Sequence, residues 1–408
     1  MVATSQTTFN DILIRQHGER ILPSSIVYGA NASGKTNIVS SLQILREIVC
    51  SGTLSSVKDL ELCPFLYNDN DDPVHLGIDF INDNQRFIYN LEFHVGKLKK
   101  IERTITCEEL KIVINKKAYA VFTRNNECVT ISRDSKILKV LETDKALVQS
   151  MEGKLNDNLD EHELFLSRAF KSAISSKVAD TVIDFFDKKL FPVKDFTFQS
   201  FDLRITSENE MEQNFVVWNK LLESFVKCAD FGPQQILFKK KSGEDEHTAS
   251  MQLCSLYKDG ENNVIIPAAL MESRGTLKLV DFAIAFEMLF AKGGVFVVDE
   301  FDAALHPELV KGIISLFNNP EINKMGAQLI FTTHNPIYLS NKIFRRDQIR
   351  FVEKDKETYQ STLYSLADFG SADVRNDENF LINYFKGKYS SLPYIDFAAI
   401  LKTVKDDD

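Results

Sequence analysis

The octapeptide GANASGKT, Gly29 to Thr36, is the strongest constraint this chain places on its own fold. It fits the spacing G-x-x-x-x-G-K-[ST], in which glycines let the backbone wrap an anion so that amide N–H groups converge on it. Such a loop needs a strand to deliver it and a helix to leave it, because the helix adds the positive end of its dipole. Both neighbours are legible. Ile26, Val27 and Tyr28 form an apolar run before the loop, and Ile38, Leu42, Leu45 and Val49 recur at three- and four-residue steps after it. That stripe predicts a helix from about Lys35 with one face on a sheet. Lys35 is then placed to neutralise terminal phosphates and Thr36 to put its hydroxyl on Mg²⁺. A nucleotide's phosphates and Mg²⁺ are the expected ligands, and the expected contacts run through Gly29, Ala30, Asn31, Ala32, Ser33, Gly34, Lys35, Thr36 and Asn37.

Two further strand ends carry chemistry of the same kind. VFVVDE sets Asp299 and Glu300 at the end of four apolar residues, where a central strand emerges at its carboxyl edge. Asp299 is the candidate metal ligand, and Glu300 the candidate base that orients and polarises the attacking water. In FTTHN, His334 closes another apolar strand some thirty residues later, on the edge where a γ-phosphate would be sensed.

Between these motifs the patterning changes twice. Alternating runs from about 75 to 135, such as HLGIDFI and RFIYNLEFHV with NDN between them, predict antiparallel strands. From about 140 to 230 the apolar spacing turns helical, without heptads long enough for a coiled-coil arm. KKKSGEDEHTAS (239–250) reads as an exposed loop. A helix over roughly 275–291, the strand 295–299, a helix over 307–317 and the strand 328–333 follow. Three segments result: 1–135 as an N-terminal lobe, 136–232 as a helical insertion and 233–408 as a C-terminal lobe with a tail. The class is α/β, with a mainly parallel sheet, an antiparallel β subdomain and the helical insertion.

With 408 residues, 44% hydrophobic and 26% charged, the chain has the composition of a globular protein with room for a large core. A net charge of −10 argues against a surface built as a whole for polyanions. Local basic runs, KLKK (97–100), KK (116–117), KKK (239–241) and FRR (344–346), read as solvated faces. A nucleic-acid track becomes the alternative only if they converge. Six scattered cysteines without a CxxC pair fit reduced thiols in a cytoplasmic protein. FAIAFEMLFAKGGVFVV is broken by Glu287, Lys292 and a glycine pair, so it reads as a buried helix and strand, not a membrane span.

GANASGKTN, ESRGTLKL, VVDEFDAALHPELV, FTTHNPIYL and DVRNDENFLINYFKGKYSSLP appear in an order that resembles ABC-type ATPase heads. Within that class the set is similar to the stand-alone ATPases of phage defence, the RloA-like and abortive-infection AAA-family proteins related to the ATPase half of OLD-family nucleases. The resemblance implies an ATP-hydrolysing head that dimerises on ATP. Ser273 and Gly275 would reach the partner's γ-phosphate, although the usual LSGGQ is absent. It implies a separately encoded effector, a nuclease or toxin, regulated in antiviral defence. LHP (Leu305–Pro307) stands where transporters carry a D-loop, and starting a helix is the simplest role for His306. Relatives carry a strand ahead of the phosphate loop that this sequence is expected to lack. No glutamine is assigned to a Q-loop, since Gln85 falls in a hairpin turn. Asp373, Asp377 and Glu378 lie in a polar loop without flanking apolar strands, so an intrinsic nuclease site is not expected. A Rad50- or SMC-like DNA-maintenance ATPase is the alternative reading.

Overall fold

The structure, a computed structural model of the chain, describes residues 1–58, 65, 72–95, 103–194, 215–216, 224, 233–240, 251–260, 262–370, 373–375, 377–390 and 392. The chain forms two compact units. The first comprises Met1–Lys194, Gly294–Asp299 and Gln328–Asp408; the second comprises Asp195–Gly293 and Glu300–Ala327.

The first unit is built on a six-stranded sheet. Its strands are β3 (Ser24–Gly29), β9 (Leu190–Val193), β14 (Val295–Val298), β15 (Gln328–Thr332), β16 (Ile349–Lys354) and β17 (Ser361–Ser365), in the order β17-β16-β3-β15-β14-β9. All neighbours are parallel except β16 and β17. Every residue of β3 is buried, Ser24 and Ser25 as well as the apolar run Ile26–Tyr28, as expected of a parallel strand covered on both faces. Helix α1 (Lys35–Ser51) follows β3 and ends at Gly52, whose left-handed backbone (φ 79°) lets its N–H cap the carbonyl of Ile48. Leu45 and Val49 of the expected stripe are buried, but the buried face is completed by Val39, Ile44 and Ile48 and not by Ile38.

A second, five-stranded antiparallel sheet runs in sequence order through β4 (Val74–Asn82), β5 (Gln85–His94), β6 (Thr104–Ile114), β7 (Lys117–Asn125) and β8 (Cys128–Ile131). The β4–β5 turn uses Asp83 and Asn84, both at positive φ, the geometry a two-residue hairpin requires. Phe87, Tyr89, Leu91 and Phe93 alternate inward along β5. They share one core with α1 and with α4 (Ser176–Lys188), whose Phe185 and Phe186 lie on Phe80 at 4.1 and 5.7 Å. Buried Glu108 of β6 accepts hydrogen bonds from the N–H groups of Phe165 and Leu166, fixing the start of the short helical segment Leu166–Phe170.

The helical pattern from about 140 holds for α2 (Ser135–Leu141), α3 (Lys145–Asn156) and α4, then breaks. Leu190–Val193 extends and pairs with β14 as the edge strand β9, where Pro192 is tolerated. The helical reading of 210–230 lies mostly outside the described residues and is corrected at Phe215–Val216, which pair as a strand with Lys239 and Phe238. Ahead of β3, β1 (Ile14–Gln16) and β2 (Glu19–Ile21) form a hairpin, and Val2 bridges to Ile21. The N-terminal segment is tied down by the buried pair Arg345–Asp347, 2.9 Å apart, which binds the backbone at Thr4, Gln6 and Thr8.

The second unit holds a four-stranded antiparallel sheet, β10 (Phe215–Val216), β11 (Gln235–Lys240), β12 (Met251–Asp259) and β13 (Asn262–Pro267). The expected loop at 239–250 is thus corrected at its start, since Lys239 and Lys240 are strand residues. The unit also holds α5 (Arg274–Lys292) and α6 (Pro307–Asn318), joined by the packing of Phe286 on Phe317 at 5.2 Å. No helix among the described residues is long and apolar enough to cross a membrane.

Candidate nucleotide-binding site

The phosphate loop sits where its spacing predicts, between a buried central strand and the first turn of α1. Gly34 (φ 105°) and Ala32 (φ 59°) take left-handed backbone angles on alternate residues, a pattern that turns successive N–H groups to one side. The first N–H groups of α1 have no acceptor within the helix and add to that field. Gly29 must lack a side chain: a Cβ there would stand 2.4 Å from Ser33 Oγ and 2.6 Å from the carbonyl oxygen of Val352. Lys35 is buried and folds back across the loop, donating to the carbonyl oxygens of Gly29 and Ala30 at 2.9 Å each. Ser33 is buried as well, and its hydroxyl makes no hydrogen bond among the described residues. Asn31, Ala32 and Asn37 are exposed along the loop, and Thr36 is half-buried.

Register places the other candidates on the same edge. In the order β3-β15-β14, Val27 pairs with Thr332 and Phe331 with Val298, so His334 and Asp299 leave their strands level with the loop that leaves β3. At about 4.8 Å between strands, Asp299 stands two strand widths from Gly29, with His334 on the strand between. Thr333 is held in line by its N–H bond to the Val27 carbonyl, 3.1 Å. His334 itself is exposed. Asp299 is buried and accepts a hydrogen bond from the Thr332 hydroxyl, while its own N–H binds the Val193 carbonyl at 3.0 Å. The buried Asp299 carboxylate, held by the Thr332 hydroxyl, and the half-buried Thr36 hydroxyl are hard oxygen donors of the kind that fit a phosphate-bound Mg²⁺.

Glu300, the next residue, is exposed and left-handed (φ 45°). It opens the second unit's segment, together with Ser273 and Gly275 at the start of α5. Ser273 is the N-cap of α5: its hydroxyl accepts the Thr276 N–H at 3.1 Å. Gly275 lies against the turn after Glu300, since a Cβ would come within 2.3 Å of the Ala304 carbonyl oxygen. Lys278, which lies within ESRGTLKL but has no role assigned from the sequence, donates to the carbonyl oxygens of Glu300 at 2.9 Å and Ala303 at 3.1 Å. Burial pulls its ammonium down to about 8, against the opposing pull of Asp302 and Glu300.

Other candidates fall elsewhere. His306 starts α6, its ring accepting the Glu308 N–H. Gln85 opens β5 opposite Asn82. Glu378 is committed to the Arg375 N–H, Asn383 and Lys388, and Asp377 is exposed beside Arg375 at 3.8 Å. No group of three potential metal ligands occurs among the described residues. The FRR run is corrected from a solvated face: Arg345 and Arg346 are buried, bound respectively to Asp347 and to the carbonyls of Leu366 and Phe369. KLKK lies outside the described residues.

A family model described as "AAA domain, putative AbiEii toxin, Type IV TA system" matches residues 24–340, from the first residue of β3 to just past His334. No curated protein matches. Solved structures with similarity include an SMC head bound to the C-winged helix domain of ScpA, at 13% identity and TM-score 0.37, covering 84% of this chain and 90% of that one. The SMC head domain from Thermotoga maritima follows at 13% and 0.35, covering 84% and 89%. An SMC head with an extended coiled coil, bound to the C-terminal domain of ScpA derived from Pyrococcus furiosus, stands at 14% and 0.35, also covering 84% and 89%. None reaches a TM-score of 0.5, so the functional reading rests on the family match and on the site's own geometry.

Proposed function

Since the chain belongs to this AAA-type ATPase family, we propose that it binds ATP with Mg²⁺ at Gly29–Asn37 and hydrolyses it, as an ABC-type head that dimerises on ATP. The observation that carries the reading is the shared edge: the glycine loop, Asp299 and His334 all leave adjacent parallel strands at their carboxyl ends, where open α/β sheets bind ligands.

In this proposal the loop amides and the α1 amino terminus hold the β- and γ-phosphates. Lys35 exchanges the carbonyls of Gly29 and Ala30 for phosphate oxygens. Thr36 and Asp299 would hold Mg²⁺, which when bound neutralises phosphate charge, and Thr332 keeps the Asp299 carboxylate in place. Glu300 orients and accepts a proton from the attacking water, and His334 senses the γ-phosphate from the middle strand. Ser273 and Gly275 reach the γ-phosphate of a second subunit, so that ATP completes two interfaces and ADP leaves them open. That difference in affinity between the two states drives the cycle. The family's description, which names an AbiEii toxin and a type IV TA system, supports a setting in antiviral defence, and in this proposal the head regulates a separately encoded effector there. Light scattering of Glu300→Gln with Mg²⁺ and ATP tests dimerisation. The proposal expects a dimer with ATP that dissociates with ADP, and a monomer under both conditions would refute it.

A further inference from the structure

We infer that Lys278 is a positioning residue for hydrolysis: by binding the carbonyl oxygens of Glu300 and Ala303, it fixes the turn that aims the Glu300 carboxylate. The inference deepens the ATPase reading and rests on it.

Glu300 adopts φ 45°, a left-handed conformation that L residues other than Asn and Asp take uncommonly. Its carbonyl oxygen accepts both the Ala303 N–H at 3.0 Å and the Lys278 ammonium at 2.9 Å. The same ammonium reaches the Ala303 carbonyl at 3.1 Å, so one cation ties both ends of the turn. Ala304, also left-handed at φ 66°, presses its carbonyl onto Gly275, one turn earlier on α5. Phe301, fully buried, stacks on Phe282 at 4.7 Å, and the Lys278 ammonium stands 5.6 Å from the Phe282 ring. The backbone of residues 300–304 is therefore held to α5 by an ammonium, an aromatic stack and a glycine contact. Glu300 itself is exposed, as are Ala303 and Ala304, while Phe301 and Leu305 are buried. A base displaced by about 1 Å loses on the order of a hundredfold in rate, so a clamp on its backbone acts on kcat.

Among the described residues the carboxylates of Asp302 and Glu300 act on Lys278, and both favour the ammonium. Methionine at this position keeps the apolar stem and removes the donor, while arginine keeps the charge and two-point donation.

Wild type, Lys278→Met, Lys278→Arg and Glu300→Gln are compared in steady-state ATPase, binding of a fluorescent ATP analogue, thermal melting, and hydrogen exchange of residues 300–305 without nucleotide. The expected result for Lys278→Met is a kcat lower by about tenfold to a hundredfold, with KM and ATP affinity within about twofold. Exchange at 300–305 should quicken, and Lys278→Arg should recover most of the rate. Wild-type kcat in Lys278→Met beside an inactive Glu300→Gln overturns the inference and leaves the ATPase reading standing. So does a loss of rate that merely follows a loss of folded protein. Wild-type protein that neither binds nor hydrolyses ATP overturns both.

Discussion

Gly29→Ala isolates the close packing of the phosphate loop. Gly29 does not use left-handed backbone, so alanine there meets no dihedral penalty, and the whole effect is steric. The new Cβ would stand 2.4 Å from Ser33 Oγ and 2.6 Å from the Val352 carbonyl oxygen, where ordinary contact begins near 3.4 Å. The serine hydroxyl can turn away. The carbonyl cannot, because Val352 is paired in register with Gly29 in the sheet. The loop must therefore yield by about 0.8 Å. Overpacking of this kind costs about 1–3 kcal/mol, which corresponds to roughly 5- to 150-fold weaker ATP binding if the strain falls on the loop. Titration with a fluorescent ATP analogue reads the affinity, and a melting curve reads any strain diverted into the sheet. Adding Ser33→Ala should recover only part of the loss, since it relieves one contact of two. Gly29→Ala with both affinity and melting temperature unchanged would refute the reasoning.

Thr332→Val removes the side-chain donor to buried Asp299 and should cost about 1–3 kcal/mol. The loss should appear as a raised Mg²⁺ requirement for ATPase, and an unchanged Mg²⁺ titration would count against Asp299 as the ligand. Burial pushes the Asp347 carboxyl up, but its bonds to Arg345 and Thr4 outweigh that and hold it below the ordinary value of 3.8. A folded pKa below the unfolded one means the pair stabilises fully above about pH 4. That stability is lost as pH falls through the lower folded value. Asp347→Asn should flatten this acid limb of the stability curve, and Arg345→Ala, which strands a buried carboxylate, should destabilise by about 3–5 kcal/mol. Asp281 shows the opposite sign: burial lifts its carboxyl to about 7, so its unfavourable ionisation accumulates between about pH 4 and pH 7. Asp281→Asn should therefore melt higher than wild type at pH 8 and equally near pH 4, and equal melting at both would contradict the burial of this acid.

Much of the first unit was legible because parallel central strands are continuous apolar runs with polar chemistry at one end. The runs Ile26–Tyr28, Val295–Val298 and Leu329–Phe331 within those strands show that signature, and the phosphate loop, Asp299, Glu300 and His334 come just after them. The phase of α1 was less legible, since IVSSLQILREIV carries apolar residues at more positions than one face can bury. Edge strand β9 follows an amphipathic helix after a single residue and contains a proline, so nothing local separates it from a helix tail. Strands β12 and β13 did carry a signal, the Asp259–Gly260 turn between alternating runs, which the neighbouring charged stretch obscured. Arg345 and Arg346 read as solvated because sequence shows their charge and not the carbonyls and the Asp347 carboxylate that enclose them. The role of Lys278, inside ESRGTLKL, was hidden for the same reason: its partners are backbone oxygens more than twenty residues away.

The central claim is that this chain cleaves ATP at the Gly29–Asn37 loop with Glu300 as the base. Its most direct test is single-turnover hydrolysis of γ-labelled ATP by wild type and Glu300→Gln with Mg²⁺. Wild type should release phosphate, and the variant should retain bound, uncleaved ATP. Equal cleavage by both proteins would contradict the claim.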